Sequence, residues 1–289
     1  MSTPGGAPLT GRLSDLGYAT GWRLVRTMPE FAARNVFDTA AWYASLGGGP
    51  DQLRKNLARV IGVPPAEVPP SLVRASLASY ARYWRETFRL PSMDLAAVAR
   101  RLDEVFIGAE HFAVAKQAGT GAILALPHSG NWDLAGVWLA QQYGAFTTVV
   151  ERLKPESLYE RFVEYRESLG FEIVPLTGGQ APPFDLLADR LRGNGFVALM
   201  ADRDLTRRGV EVQFFGEATR MPAGPAKLAI ETGAPLHPAH VYYDGTDCVV
   251  AILDALDTSS GDIAVITQSM ADVFAGAIAA HPQDWHMLQ

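Results

Sequence analysis

The sequence predicts an α/β fold with a mostly parallel central sheet, helices on both faces of the sheet, and a helical region at the N-terminal end. From about residue 105, short β-branched or aliphatic runs alternate with segments of helical periodicity. These runs are apolar throughout, as expected for strands that are covered on both faces. Residues 1–104, in contrast, carry helical patterns and almost no strand signal.

Four helices are predicted in the N-terminal region from apolar residues at helical spacing. The run from Gly47 to Pro50 ends the second helix, and Asp51 and Ser71 are suited to cap the third and fourth. In the second helix, the apolar positions include Phe31 and Tyr43. The predicted helices span residues 15–26, 29–46, 52–61 and 71–88.

Six strands and five helices are predicted in the remainder of the chain. The strands span residues 122–126, 146–150, 171–175, 196–201, 236–243 and 248–253, and the helices span 134–143, 156–169, 184–191, 222–231 and 263–280. The 289 residues suit one domain. We divide it into a helical, membrane-facing region at 1–104 and an α/β catalytic core at 105–289. Cys248, the single cysteine, lies within a strand pattern and is interpreted as an inert core thiol.

The charge of the chain is distributed unevenly. Residues 1–102 carry 13 Arg and Lys against 7 Asp and Glu, whereas the remainder carries 12 against 24. A basic N-terminal third indicates contact with an anionic partner, or a solvated basic face. The acidic remainder and the absence of a known motif argue against nucleic acid. No stretch approaches about eighteen consecutive apolar residues, so no membrane-spanning helix is expected, and the N-terminus does not resemble a secretory signal.

Ionisable residues follow three of the predicted strands. His128 and Asp133 follow the first strand, Glu151 follows the second, and Asp202 and Arg203 follow the strand at 196–201. In open α/β sheets, ligands bind beyond the carboxyl ends of the strands. We therefore expect these side chains to meet in one site.

The pair His128 and Asp133 suggests a general base and the carboxylate that orients it. A turn containing Gly130 separates them, and Asp133 could hold one imidazole nitrogen while the other faces the substrate. Histidine suits this role because its ordinary pKa lies near neutral pH. The alternative is a structural turn in which Asp133 caps the next helix. Ser129 is disfavoured as a nucleophile because no G-x-S-x-G elbow surrounds it.

Other charged residues have two interpretations each. Arg166, on the helix at 156–169, could stabilise an oxyanion or could be a solvated surface residue. Arg207, Arg208, Arg220 and Lys227 form a basic loop that suits phosphate groups such as those of coenzyme A, or that is simply solvated. No metal ion is expected, because the remaining histidines form no metal-binding pattern.

The run from Ala125 to Asp133, ALPHSGNWD, looks like the HX4D block of the bacterial late acyltransferases of the lipid A biosynthesis type. The resemblance is closer to their actinobacterial branch, the phosphatidylinositol mannoside acyltransferases, and it covers nearly the whole chain. The further matching blocks are residues 52–59, 80–86, 151–158, 165–170, 201–205, 214–216, 221–227 and 284–289.

This resemblance implies a glycerol-3-phosphate acyltransferase-like fold and a specific reaction. A fatty acyl group, of the palmitoyl type, would pass from acyl-CoA to the 6-hydroxyl of a mannose in phosphatidylinositol mannoside. The protein would be peripheral, on the anionic cytoplasmic face of the plasma membrane. Acyl-CoA is then a substrate, and no cofactor is implied. The alternatives are an acyltransferase for another glycolipid, a hydrolase of acyl-CoA or esters, and a non-catalytic lipid-binding protein.

The resemblance also implies roles for individual residues. By match, His128 would be the general base and Asp133 its orienting partner, and Glu151, Arg166 and Asp202 would line the same site. Close relatives are expected to carry Glu at position 202, so Asp202 has a shorter reach.

Three further residues are expected to contact the substrate. Ser129 and Asn131 lie within the HX4D block, and Arg203 follows Asp202.

Overall fold

The computed structural model describes residues 21–152, 155–179, 181–204 and 208–288. Residues 21–27 are helical, which covers the second half of the predicted helix at 15–26. The first half of that helix lies outside the described residues, as does Arg207. The strands are β1 Ala122–Leu126, β2 Phe146–Val150, β3 Phe171–Pro175, β4 Phe196–Met200, β5 Val210–Phe214, β6 Glu217–Met221, β7 Leu236–Asp244 and β8 Asp247–Ile252. The α-helices that follow this first helical segment are α1 Glu30–Ala44, α2 Asp51–Ile61, α3 Pro70–Arg89, α4 Leu95–Asp103, α5 Glu110–Ala118, α6 Trp132–Tyr143, α7 Glu156–Ser168, α8 Pro183–Arg192, α9 Gly224–Thr232 and α10 Ile263–Ala280.

A six-stranded sheet in the order β3-β2-β4-β1-β7-β8 forms the centre of the molecule. Its strands are parallel except for β8, which runs antiparallel to β7. The sheet is covered on both sides, because alternate residues of β1 enter two different apolar clusters. Ile123 packs in the cluster that contains α8, α9 and α10, and Leu124 packs in the cluster that contains α4, α5, α6 and α7. The predicted α/β class is therefore confirmed.

A third apolar cluster lies in the N-terminal helical region. It joins Leu57 of α2 to Ala41 of α1 and Val73 of α3. The predicted apolar face of α1 is wrong, however. Phe31 and Tyr43 are 70% and 72% exposed, and the helix buries small alanines instead.

Two helices and one hairpin of the structure were not predicted from the sequence. Helix α4 begins after Asp94, whose carboxylate accepts hydrogen bonds from the backbone N–H groups of Ala96 and Ala97, which is an N-cap signal. Helix α5 was also not predicted. Strands β5 and β6 form a hairpin whose loop residues, Phe215 and Gly216, both have positive φ. This conformation usually demands Asn or Gly at the first position, so the phenylalanine concealed the turn.

Helix α10 is long and apolar enough to cross a membrane by length and composition, and it is the only such helix in the described part of the chain. The sequence predicts no membrane-spanning helix because no unbroken apolar run is long enough. Helix α10 does not form such a run, since polar residues such as Thr267 and Gln268 interrupt it. Ile266, Met270 and Phe274 of α10 are buried in the core beside the sheet. Core helices pass the same test, so α10 is interpreted as a core helix.

Candidate active site

A cavity of about 1060 Å³ lies beyond the carboxyl ends of β1, β2 and β4. Its wall is mostly apolar, with aromatic side chains contributed by α3, α6 and α7. Such a large apolar cavity with a few convergent polar groups is typical of a ligand site. The ionisable residues in its wall include five of the residues predicted for the site: His128, Asp133, Glu151, Arg166 and Arg203.

The loop between β1 and α6 carries His128 and is tightly held. Gly130 has a φ of +55°, and a Cβ at this position would lie 2.5 Å from the carbonyl oxygen of Val241, so only glycine fits. Asn131 is the N-cap of α6, because its Oδ1 accepts from the backbone N–H of Leu134 at 3.2 Å. The alternative in which Asp133 caps this helix is therefore wrong.

The imidazole of His128 is held by Asp202. Its Nδ1 lies 2.6 Å from Oδ1 of Asp202, and its backbone N–H donates to Oδ2 at 2.9 Å. Because an ionised carboxylate only accepts hydrogen bonds, Nδ1 carries the proton and Nε2 is the nitrogen left for a substrate. Burial would raise the pKa of Asp202, but the facing His128 and the hydrogen bonds lower it below its ordinary value. Asp202 is thus kept ionised behind the imidazole.

The sheet register explains why these two residues meet. Leu126 at the end of β1 pairs with Met200 at the end of the adjacent β4. His128 and Asp202 each follow two residues later, so parallel neighbouring strands deliver them to the same place.

Asp133 has a different partner from the one predicted. Its fully buried carboxylate accepts from Nε of Arg166 at 3.0 Å, and the hydroxyl of Tyr83 donates to it at 3.4 Å. Burial lowers the pKa of Arg166, but the charge and hydrogen bond of Asp133, together with the nearby Tyr83 and Tyr165, outweigh burial and raise it overall. The predicted contact between Asp133 and the imidazole is therefore corrected: Asp202 makes it, and Asp133 fixes Arg166. The solvated-surface interpretation of Arg166 is also wrong.

The structure brings Glu151 and Arg203 to the cavity wall but not Ser129 and Asn131. Both latter side chains are fully buried, and their polar atoms are bonded within the protein. Ser129 Oγ lies 3.1 Å from Nδ1 of His240, and Asn131 Nδ2 donates to Glu86 at 3.0 Å. Direct substrate contact is therefore not available to them in this structure, and they stabilise the loop instead.

Two residues near the chain's end, Trp285 and His286, also belong to the site but were given no role by the sequence. The indole N–H of Trp285 donates to Oδ2 of Asp202 at 2.9 Å. The ring of His286 lines the cavity, and burial, together with His128, lowers its pKa to about 3, so it is neutral. Their block, at 284–289, was visible as part of the resemblance, but a block match alone does not give contacts.

The arrangement suits proton removal rather than covalent catalysis. Ser129 is buried and bonded to another histidine, and Cys248 is a buried thiol whose pKa is raised by burial. Neither is placed to attack a substrate in the cavity. Within the described residues, no group of three His, Cys, Asp or Glu side chains could hold a metal ion. The group that is placed to remove a proton in the cavity is the imidazole of His128, which Asp202 orients.

Comparison with known proteins assigns this architecture to a family. The family model for the bacterial lipid A biosynthesis acyltransferase matches residues 10–289. A phosphatidylinositol mannoside acyltransferase of Mycolicibacterium smegmatis is 64% identical over 289 residues, which cover 100% of this chain and 94% of the relative. A protein of the same name from Mycobacterium tuberculosis is 63% identical over 281 residues, covering 97% of this chain and 89% of the relative. The chain therefore belongs to the bacterial lipid A biosynthesis acyltransferase family and is an acyltransferase.

Proposed function

We propose that this acyltransferase moves a fatty acyl group, with palmitoyl as the expected chain, from acyl-CoA to the 6-hydroxyl of a mannose in phosphatidylinositol mannoside. The observation that carries the proposal is the imidazole of His128, fixed on one side by Asp202 and facing an apolar cavity on the other. The names of the relatives support the acceptor. The apolar wall of the cavity supports a long acyl chain.

In the proposed reaction, Nε2 of His128 removes the proton of the sugar hydroxyl as the oxygen attacks the thioester carbonyl. The new C–O bond forms a tetrahedral oxyanion, which Arg166 or backbone N–H groups stabilise. The C–S bond then breaks, and coenzyme A leaves as a thiolate, which takes up the proton held by the imidazolium. Asp202 keeps the imidazole in the required tautomer and stabilises its protonated form.

Glu151 and Arg203 complete the proposed substrate site. Both line the cavity beyond the strand ends that also deliver His128. We assign Glu151 to the catalytic group and Arg203 to the contacts that hold the substrate. Coenzyme A phosphates would lie near the basic loop that includes Arg208, which also lines the cavity.

We further propose that the enzyme works as a peripheral protein at the cytoplasmic face of the plasma membrane. Two features support this location. The exposed aromatic residues of α1, including Phe31 and Tyr43, suit insertion among lipid headgroups. The basic character of residues 1–102 suits an anionic lipid surface.

The test is an acceptor panel with radiolabelled palmitoyl-CoA and the intact protein. The panel contains phosphatidylinositol mannoside, phosphatidylinositol and an unrelated glycolipid, and mass spectrometry maps the acylated hydroxyl. We expect acylation at the mannose 6-hydroxyl and its loss in His128→Ala. Retention of turnover in His128→Ala would refute the base assignment. Rapid release of free palmitate at saturating acceptor would instead identify a hydrolase.

A further inference from the structure

The buried carboxylate of Asp202 accepts a hydrogen bond from a residue that is distant in the sequence, Trp285. His128 supplies two donors, its ring Nδ1 to Oδ1 and its backbone N–H to Oδ2. Trp285 supplies a third, from its indole N–H to Oδ2 at 2.9 Å. A buried charge is costly unless donors satisfy it. The indole therefore helps to stabilise the ionised carboxylate in its present place.

The division of donors between the two oxygens has a geometric consequence. A carboxylate is planar, so the donors on Oδ2 also set the direction in which Oδ1 points. The last torsion of an aspartate is soft. Without the indole, Oδ2 would keep only the backbone N–H of His128, and the carboxylate plane could turn. The imidazole, which is held through Oδ1, would turn with it.

Trp285 is itself held firmly enough to act as a reference point. Trp285 is only 5% exposed. The centroid of its ring lies 6.0 Å from that of Phe214 and 5.9 Å from that of Phe215. Its backbone forms an antiparallel bridge with Ser129. The same segment therefore pairs with the loop that carries His128 and bonds to the acid behind His128.

We propose that Trp285 is a positioning residue, which sets the orientation of the His128 imidazole by fixing the carboxylate of Asp202. This inference rests on the proposed function, in which His128 is the base. Trp285 acts through Asp202 and does not touch the substrate. Its contribution therefore falls on the rate of the chemical step and not on the binding of acyl-CoA.

The test compares Trp285→Phe with Trp138→Phe. Both variants keep a buried aromatic ring and lose an indole N–H that donates to an aspartate. Trp138 donates to Asp103 at 2.5 Å and is not among the residues that line the cavity. The measurements are kcat and KM for palmitoyl-CoA, and the proton NMR signal of the His128 Nδ1–H group, assigned by its absence in His128→Ala.

We expect Trp285→Phe to lower kcat by about 10- to 100-fold, the effect of losing one hydrogen bond to a charged group. KM for palmitoyl-CoA should stay unchanged, and the Nδ1–H signal should shift or broaden. Trp138→Phe should leave kcat and the signal as they are. Where Trp285→Phe folds poorly, benzothienylalanine at position 285 keeps the bicyclic shape, replaces N–H by sulfur, and should reproduce the loss in kcat.

Wild-type kcat and an unmoved Nδ1–H signal in a folded variant that lacks the indole N–H would overturn the role of Trp285. That outcome is distinct from a failure of the proposed function. If His128→Ala still transferred palmitate, the base assignment would fall whatever Trp285 does. If His128→Ala were inactive while the Trp285 variants behaved like the wild type, only the positioning role would be lost.

Discussion

At the scale of single residues, the two buried aspartates of the candidate site differ in the partner that each one holds. Asp202 holds the imidazole of His128, which takes up a proton in the proposed reaction. Asp133 holds the guanidinium of Arg166, which is always charged. The same change in either aspartate therefore has different consequences for rate and for stability.

We expect Asp202→Asn to act mainly on the rate. An asparagine can present an N–H group to Nδ1 of His128 and so favour the wrong tautomer, and it offers no charge to the imidazolium. Loss of the orienting carboxylate in a comparable pair lowers kcat by about 10³- to 10⁴-fold. The measurement is kcat with palmitoyl-CoA, alongside the free energy of unfolding in urea. A modest change in stability should accompany the large loss in kcat.

Asp133→Asn should act mainly on stability. The substitution leaves the charge of Arg166 in a largely buried place without its counter-charge, which costs about 3 kcal/mol or more. Urea unfolding should report this loss, and the fall in kcat should be smaller than for Asp202→Asn. If Asp133→Asn were instead fully stable and as inactive as Asp202→Asn, then Asp133 would act directly in catalysis.

At the scale of elements, the strands of the six-stranded sheet were predictable because each is a short, largely apolar run with clear ends, whereas β5 and β6 are not. The bounds of β1, β2, β3 and α10 agree with the sequence prediction residue for residue. The partner of His128 was not predictable in this way. Asp202 is adjacent only because β4 lies next to β1 in the sheet, and strand order is not written in local periodicity. The contribution of Trp285 depends on an even more distant segment.

Helix α6 places Gly136 in the cavity wall against two aromatic rings, and this leads to a prediction about acyl-chain length. A Cβ at Gly136 would clash with the ring of Phe171 and would lie 3.0 Å from Cζ of Phe146. All three residues line the cavity. We expect Gly136→Ala to displace these rings, narrow the cavity and shift the preference towards shorter acyl-CoA substrates. The measurement is kcat/KM across the series from decanoyl-CoA to stearoyl-CoA.

Gly276→Ala is the matched control for this prediction. Gly276 also lies inside a helix, α10, but a Cβ there would meet no atom within 4 Å. The control should gain about 0.5–1 kcal/mol in free energy of unfolding, as alanine does over glycine within a helix. Its length preference should match that of the wild type. An unchanged preference in a well-folded Gly136→Ala would place the acyl chain elsewhere in the cavity.

At the scale of the whole molecule, the helical region combines one wall of the cavity with an unusual outer surface. Trp84 and Phe88 of α3 line the cavity, while α1 exposes Phe31 and Tyr43 to solvent. The basic charge of this region follows directly from the sequence, because formal charge depends only on composition. It could not predict which side of α1 faces outward, because an apolar stripe by itself implies burial.

Phe31→Asp combined with Tyr43→Asp should therefore weaken the proposed membrane binding without unfolding the protein. Both side chains are already exposed, so the aspartates cost little in solution, but they are repelled by anionic lipid and are poorly accommodated among its headgroups. The measurement is co-sedimentation with phosphatidylglycerol vesicles at rising salt, with circular dichroism to verify the fold. Wild-type binding should weaken as salt screens the basic region.

The control for this variant is Val114→Asp combined with Val265→Asp, which adds the same charge at exposed apolar positions of α5 and α10. Because these positions lie outside the basic third of the chain, the control should bind vesicles like the wild type. Equal losses of vesicle binding in the two double variants would show that the effect comes from net charge and not from the aromatic residues of α1. Unchanged binding in both double variants would show that α1 does not contact the membrane. The exposed aromatic residues of α1 would then need another partner.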